Sequence, residues 1–279
     1  MKSPLSLISL SRYSLGLLLA TNATSIFGYA VFSLHPELLS RWPWAQTIFQ
    51  SSYSFFSRVQ IVFAALTLFF ILTAHTKMKW LPSFLGIVLV SLISELAGTT
   101  YGIPFGKYEY TALLGPMVLD RVPYLIPLSW FFMSVASYAI ALLVLGRGAT
   151  RWLVIPSASI LLLTWDLTLD PAMSHLAPFW VWAEVGSYYG TPLMNLLGWF
   201  VTGLANMAVL EWLGAREWLR PVPTKDLIVF YFANLSLPLG IVLCAQVWQP
   251  VLLSLAVYGC YFSAWASRRQ NEIFVPNPL

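Results

Sequence analysis

Runs of about twenty mostly apolar residues, repeated with few charges between them, commit a chain to a lipid bilayer and to helices within it. This sequence carries eight such runs, at roughly 13–34, 56–76, 80–98, 122–145, 152–169, 191–210, 227–247 and 250–267. The fifth and eighth are short, and the last two are expected to form a tight hairpin across Trp248–Gln249–Pro250. The aromatic and polar stretch 42–55 is expected to lie along the membrane interface. Of 279 residues 58% are hydrophobic and 9% charged, against about 25% charged in a soluble domain. The expected fold class is therefore all-α: a polytopic transmembrane helical bundle of about eight spans, with seven to nine compatible. The length suits one integral membrane domain over 1–279.

The charges fix the expected orientation. A net charge of +4 would suggest nucleic acid in a soluble protein, but here Lys and Arg sit singly between apolar runs and read as topology signals, so no nucleic-acid partner is expected. With eight spans, one side holds Lys2, Arg12, Lys77, Lys79, Arg147, Arg151, Arg216, Arg220, Lys225, Arg268 and Arg269. The other holds Arg41, Arg58, Lys107 and Arg121. The positive-inside rule then puts both termini in the cytoplasm of a cell (inner) membrane. The first run follows Lys2 and Arg12 but continues through Val31 without a small-residue cleavage site, so it reads as a retained span. Cys244 and Cys260 both fall in apolar runs and read as packing residues. The tail, 270–279, contains two prolines and is expected to be flexible.

Two segments read neither as plain spans nor as plain loops: 94–121 and 164–199. Both are rich in Gly, Pro, Tyr and Trp, and both place carboxylates beside apolar helix. Irregular backbone at membrane depth survives only when buried in protein or lining a cavity, so the site-bearing region is expected at 94–200. Asp166 and Asp170 are its sharpest feature, spaced i, i+4 on one helical face with no Lys or Arg in their run. Two close, desolvated carboxylates cannot both ionise easily and titrate as a unit. Such a pair keeps one acid protonated and ready to donate. The bland reading, a wet helix end, is weaker, because intramembrane acids are by default functional. Glu95 is the third candidate catalytic acid, though a helix-end residue reaching the interface is an equal reading.

Around these acids stand candidate substrate-binding residues. Tyr108 and Tyr110 follow the Gly102–Gly106 turn, with belt residue and site residue equally weighted. Trp165, Trp180, Trp182, Tyr188, Tyr189 and Trp199 crowd the second segment, and aromatic faces stabilise cations without attacking them. An acid with aromatic walls is what protonation of an alkene requires. Asn195 can orient a water or a carboxylate, or simply bond a neighbouring helix. The histidines are scattered, with no H-x-x-x-H or C-x-x-C, so no metal site is expected. A G-x-S-x-G elbow is absent.

Four runs together resemble a known family: E-L-A-G-x-x-Y-G-I-P-F-G-K-Y-E-Y-T-x-x-L-G-P from Glu95, V-P-x-L-I-P-L-S-W from Val122, T-W-D-L-x-L-D-P-A-M from Thr164, and Y-Y-G-x-P-L-x-N-x-x-G-W from Tyr188. They are similar to the Cru-type membrane carotenoid 1,2-hydratases, a group that includes the bacterioruberin-type hydratase. The resemblance implies hydration of the terminal C1–C2 double bond of an acyclic carotenoid end, such as lycopene or γ-carotene, to a tertiary 1-hydroxy group. It implies no redox or metal cofactor. Its expected partners are the bilayer, the carotenoid and other carotenoid-pathway membrane enzymes. On this reading Asp166 or Asp170 protonates C2, Trp165 and Tyr189 face the cation at C1, and Glu95, Asn195 or the second Asp holds the water. A membrane prenyltransferase is the first alternative, since Asp166-x-x-x-Asp170 matches its simpler motif, but a second Asp-rich motif and diphosphate-binding basic residues are missing. A non-catalytic carotenoid or lipid carrier is the second, although it has no need of paired acids. A transporter is third, and no inverted repeat supports it.

Overall fold

The structure is a computed structural model; it describes residues 4–41 and 43–274, with side chains described for 6–41 and 44–270. Among the described residues ten α-helices follow one another: α1 (Pro4–Gly28), α2 (Glu37–Ser40), α3 (Pro43–Thr76), α4 (Leu81–Tyr101), α5 (Leu125–Leu145), α6 (Arg151–Asp170), α7 (Leu193–Trp212), α8 (Ala215–Trp218), α9 (Thr224–Cys244) and α10 (Trp248–Phe274). A π-helical turn continues α1 through Tyr29–Ser33, and another continues α6 through Pro171–His175. Eight helical stretches are long and apolar enough to cross a membrane, so the chain is a polytopic helical membrane protein. A helix satisfies its own backbone, which is the condition for standing in hydrocarbon.

Two segments differ from the expectation, 44–55 and the α9–α10 turn. Residues 44–55 do not form a separate interfacial segment; they are the first turns of α3. No Gly or Pro interrupts the helix after Pro43, and Ser51, Ser52 and Ser57 return their hydroxyls to backbone carbonyls of the preceding turn. Arg58 consequently lies within α3, where Nε and Nη2 donate to the carbonyls of Leu113 and Ala112 and clamp the 3₁₀ turn Ala112–Leu114. The α9–α10 turn is not at Trp248–Gln249–Pro250 but one step earlier, where Gln246 adopts a left-handed φ of 58°. Pro250 falls in the first turn of α10, where its missing N–H costs nothing. Of the expected flexible tail 270–279, residues to Phe274 continue α10, and 275–279 lie outside the described residues.

Helix α5 is the innermost, buried along most of its length. Around it pack α3, α4, α6, α7, α9 and α10, with α1 lying along α3. The α6–α7 pair approaches closely because Gly203 meets Ser159: a Cβ there would stand 3.2 Å from the serine Cβ. Apolar side chains such as Phe27, Leu85, Leu89, Ile93, Leu252 and Leu255 point outward.

No sequence pattern marks strands, yet four short ones occur among the described residues: β1 (Tyr108–Tyr110), β2 (Met117–Val118), β3 (Val122–Pro123) and β4 (Trp180–Trp182). β1 and β4 pair antiparallel, Tyr108 opposite Trp182 and Tyr110 opposite Trp180. This ribbon joins the two irregular segments. The α4–β1 turn is pinned by Phe105, which is 1% exposed. Gly98 of α4 and Gly198 of α7 make room for it. A Cβ on Gly198 would come within 2.6 Å of the Phe105 ring and 2.8 Å of the Pro104 carbonyl oxygen, and backbone cannot swing aside. Gly198→Ala is expected to destabilise by about 1–3 kcal/mol, the usual cost of overpacking, seen as a lower melting temperature in detergent. Gly16→Ala, with nothing within 4 Å, is expected to leave it unchanged.

Candidate active site

The irregular segments bring the acids together. Glu95 sits six residues before the end of α4, pointing inward and 3% exposed. Its Oε2 accepts hydrogen bonds from the hydroxyls of Tyr108 and, at 2.8 Å, Tyr110. Its Oε1 accepts from the Trp130 indole at 2.8 Å. Alternation along β1 turns both tyrosines to one face, toward Glu95, and leaves Glu109 exposed. Burial, and then the facing Glu95, push both hydroxyls well above the usual tyrosine range. They therefore stay protonated and act as donors. Three donors on one carboxyl stabilise its anionic form.

Asp166 and Asp170 close α6, at 0% and 1% exposure. Helical spacing stacks them on the face toward α7, where Asn195 in the first turn of α7 meets both. Its amide nitrogen donates to Oδ2 of Asp170 and, at 3.3 Å, to Oδ2 of Asp166. Both Oδ2 atoms are thus acceptors, and the Trp180 indole is a further donor to the Asp170 carboxyl. Oδ1 of Asp166 is buried and unbonded. Glu211, at the other end of the bundle, offers a contrast: Arg216 lies 2.7 Å from it and Tyr138 donates to it. Among the described residues neither the Asp pair nor Glu95 has such a cation. A buried acid without a counter-charge is costly unless it carries a proton or serves chemistry.

Glu95, Asp170 and Asn195 face one cavity of about 40 Å³, with Tyr108, Tyr110, Trp180, Trp182 and Trp199 in its wall. That exceeds the ~10–15 Å³ one water needs but is too small for the body of a long hydrocarbon. Trp130 stacks on Trp199 at 4.1 Å between ring centroids, and Trp165 meets Trp199 edge-on at 5.8 Å. On its other side Tyr110 borders a polar recess with Thr99, Glu109, Asp120 and Arg121.

Of the residues singled out from the sequence, the structure gathers Glu95, Tyr108, Tyr110, Asp170, Trp182, Asn195 and Trp199 on this cavity. Asp166 joins through Asn195, and Trp165 lines the neighbouring hollow. Tyr188 and Tyr189 lie off it: Tyr188 donates to the Leu167 carbonyl, and Tyr189 packs on Tyr188 near the exposed His175. Burial and the Asp pair also push the Tyr188 hydroxyl up. Sequence reasoning missed Trp130, Phe105 and Ser129. The L-S-W run of α5 contained the signal, but nothing in an evenly apolar helix marks which residue turns inward.

Comparison with known proteins adds three findings. The family described as carotenoid biosynthesis protein matches residues 56–260. Bisanhydrobacterioruberin hydratase of Haloarcula japonica is 33% identical over 156 residues, covering 52% of this chain and 53% of that protein. The aligned part thus spans about half the length of that relative. No solved structure matches.

Proposed function

The chain belongs to the carotenoid biosynthesis protein family, and from that premise we propose that it is a carotenoid 1,2-hydratase, adding water across the terminal C1–C2 double bond of an acyclic end group such as that of lycopene or γ-carotene. The hydratase name of the Haloarcula relative supports this reading. The observation that carries it is the buried Asp166–Asp170 pair, bridged by one amide and opening on an aromatic-walled cavity.

Asp170, which faces the cavity, is the acid. Its carboxyl proton passes to C2, and the electron pair of the double bond forms the new C–H bond. The cation develops at C1, the tertiary carbon, against the indole faces of Trp199 and Trp182. The Glu95 carboxyl, held by its three donors, faces the same space and turns electron-rich oxygens toward the positive charge. A water from the polar recess beyond Tyr110 adds its oxygen to C1, and its spare proton restores the Asp170 carboxyl. Asp166 keeps the pair at one shared proton through Asn195. Substrate and product are otherwise unchanged, so the cycle closes on water alone. In the proposed orientation both termini are cytoplasmic, and the acids lie in the half of the bundle away from them.

The test is expression in a lycopene-accumulating bacterial host, with mass analysis of the pigments. The expected product is lycopene plus one water, as a tertiary alcohol. Unchanged lycopene, γ-carotene and C50 pigments together would rule the hydratase out.

A further inference from the structure

The acid cavity holds water but not a long hydrocarbon, so the substrate body must lie elsewhere. Two further hollows adjoin it in turn, each sharing wall residues with the one before. A middle one of about 70 Å³ shares Ile126, Ser129, Leu169 and Trp180 with the acid cavity. An outer one of about 440 Å³ shares Ser57, Met173, Phe179 and Leu237 with the middle one. The outer hollow is walled by aromatic rings, among them Phe32, Phe49 and Phe56. Its mouth is open to the exterior: Phe27, Trp44 and Ile48 on its rim are 64%, 68% and 62% exposed. These residues belong to α1 and α3, both long and apolar enough to cross a membrane. The π-helical turn after α6 begins at Pro171, next to Asp170, and carries Met173 into the neck. Acid and neck are thus set by one short piece of backbone, and π-turns of this kind collect at functional sites.

We propose that this series of hollows is the binding passage for the polyene, entered sideways from the bilayer between α1 and α3, with the neck at Ser57, Met173, Phe179 and Leu237 passing only a linear chain end. The proposal rests on the carotenoid reading above. It accounts for selectivity at the terminal bond: a chain that enters end-on through a neck presents its last double bond to Asp170, and the conjugated interior bonds stop short of it. A ring-bearing end is too broad to follow.

Two substitutions fill the passage at separate points. Gly28→Phe grows into the outer hollow, where a Cβ meets only the Phe49 ring at 3.9 Å. Ser57→Phe closes the neck. Each is made in the otherwise native protein and again with Asp170→Asn, which removes turnover and leaves binding as the readout. Lycopene retained by the purified protein is measured by absorbance, hydration is measured by mass, and a monodisperse elution profile verifies folding. Both variants are expected to lose retained pigment and hydration together, by about tenfold or more. If either folds and keeps both, or loses retained pigment while still hydrating, the passage is wrong and the hydratase reading stands. If the native protein retains lycopene without hydrating any carotenoid, the hydratase reading falls, and loss of pigment in the blocked variants still upholds the passage. If one variant aggregates, the other decides. Native protein that neither retains nor hydrates lycopene, γ-carotene or C50 pigments overturns both.

Discussion

Asp170→Asn is expected to lower hydration about 10²–10⁴-fold, the usual contribution of a positioned general acid. The substitution is nearly isosteric, so helix, cavity and aromatic wall should persist. The amide oxygen of the new Asn still accepts from Asn195, but its –NH₂ cannot protonate an alkene. Asp166→Asn is expected to fall in the same range for a different reason. Asp166 does not line the acid cavity, and it acts by holding the pair at one proton through the shared Asn195 bridge. Pairs that titrate as a unit lose their combined proton affinity when either partner is neutralised. The two substitutions should therefore differ in pH profile. Asp170→Asn stays low at every pH, whereas Asp166→Asn leaves a residual activity whose pH optimum has moved. Product formation by pigment mass across a pH series checks both. Near-native turnover in both variants would remove the pair from the mechanism.

Glu95→Ala is expected to be the most destabilising single change at the site. Glu95 receives donors from three places: two β1 tyrosines and the Trp130 indole of α5. Removing it leaves two hydroxyls and one indole N–H buried without an acceptor, at about 1–3 kcal/mol for each stranded group. Even with partial relaxation the loss is several kcal/mol, or roughly 5–10 °C in melting temperature. Glu95→Gln keeps one acceptor oxygen and should melt between the two. Both variants should be inactive, because the carboxyl facing the cation is gone. Thermal unfolding in detergent separates the roles: an alanine variant that melts like the native protein would show that Glu95 does not anchor the β1 ribbon.

The spans and the acids were legible in the sequence for the same reason. Hydrocarbon tolerates few charges, so long apolar runs announce helices, and an acid inside or at the end of one stands out. Asp166, Asp170 and Glu95 were found in this way, and helical spacing placed the Asp pair on one face. Asn195 was found as a polar residue close to a Gly-Trp turn of helix. Trp130 was not, because α5 is buried on nearly all sides and has no periodic face to betray its inward residue. The β1–β4 ribbon was not legible either. Three-residue strands carry almost no pattern, and their partners are some seventy residues apart in the chain. Residues 44–55 looked interfacial because polar side chains count against a span, yet serines that bond their own helix backbone are at home there. Tyr188 and Tyr189 stood out through their aromatic neighbours and the Y-Y-G run, and the fold places neither in the wall of the acid cavity.

The pairing of Tyr108 and Tyr110 with Trp182 and Trp180 also sets a schedule for biogenesis. Glu95 leaves the ribosome and enters the membrane with α4, before Trp130 on α5 has been made. Its tyrosine cover is complete only when β4 has been synthesised and laid beside β1. Until then the nascent chain carries an intramembrane acid without its full set of donors. The catalytic pocket is therefore assembled late, from parts inserted at different times. A chain that stops before Trp180 contains five spanning helices, α1, α3, α4, α5 and α6, and no closed pocket.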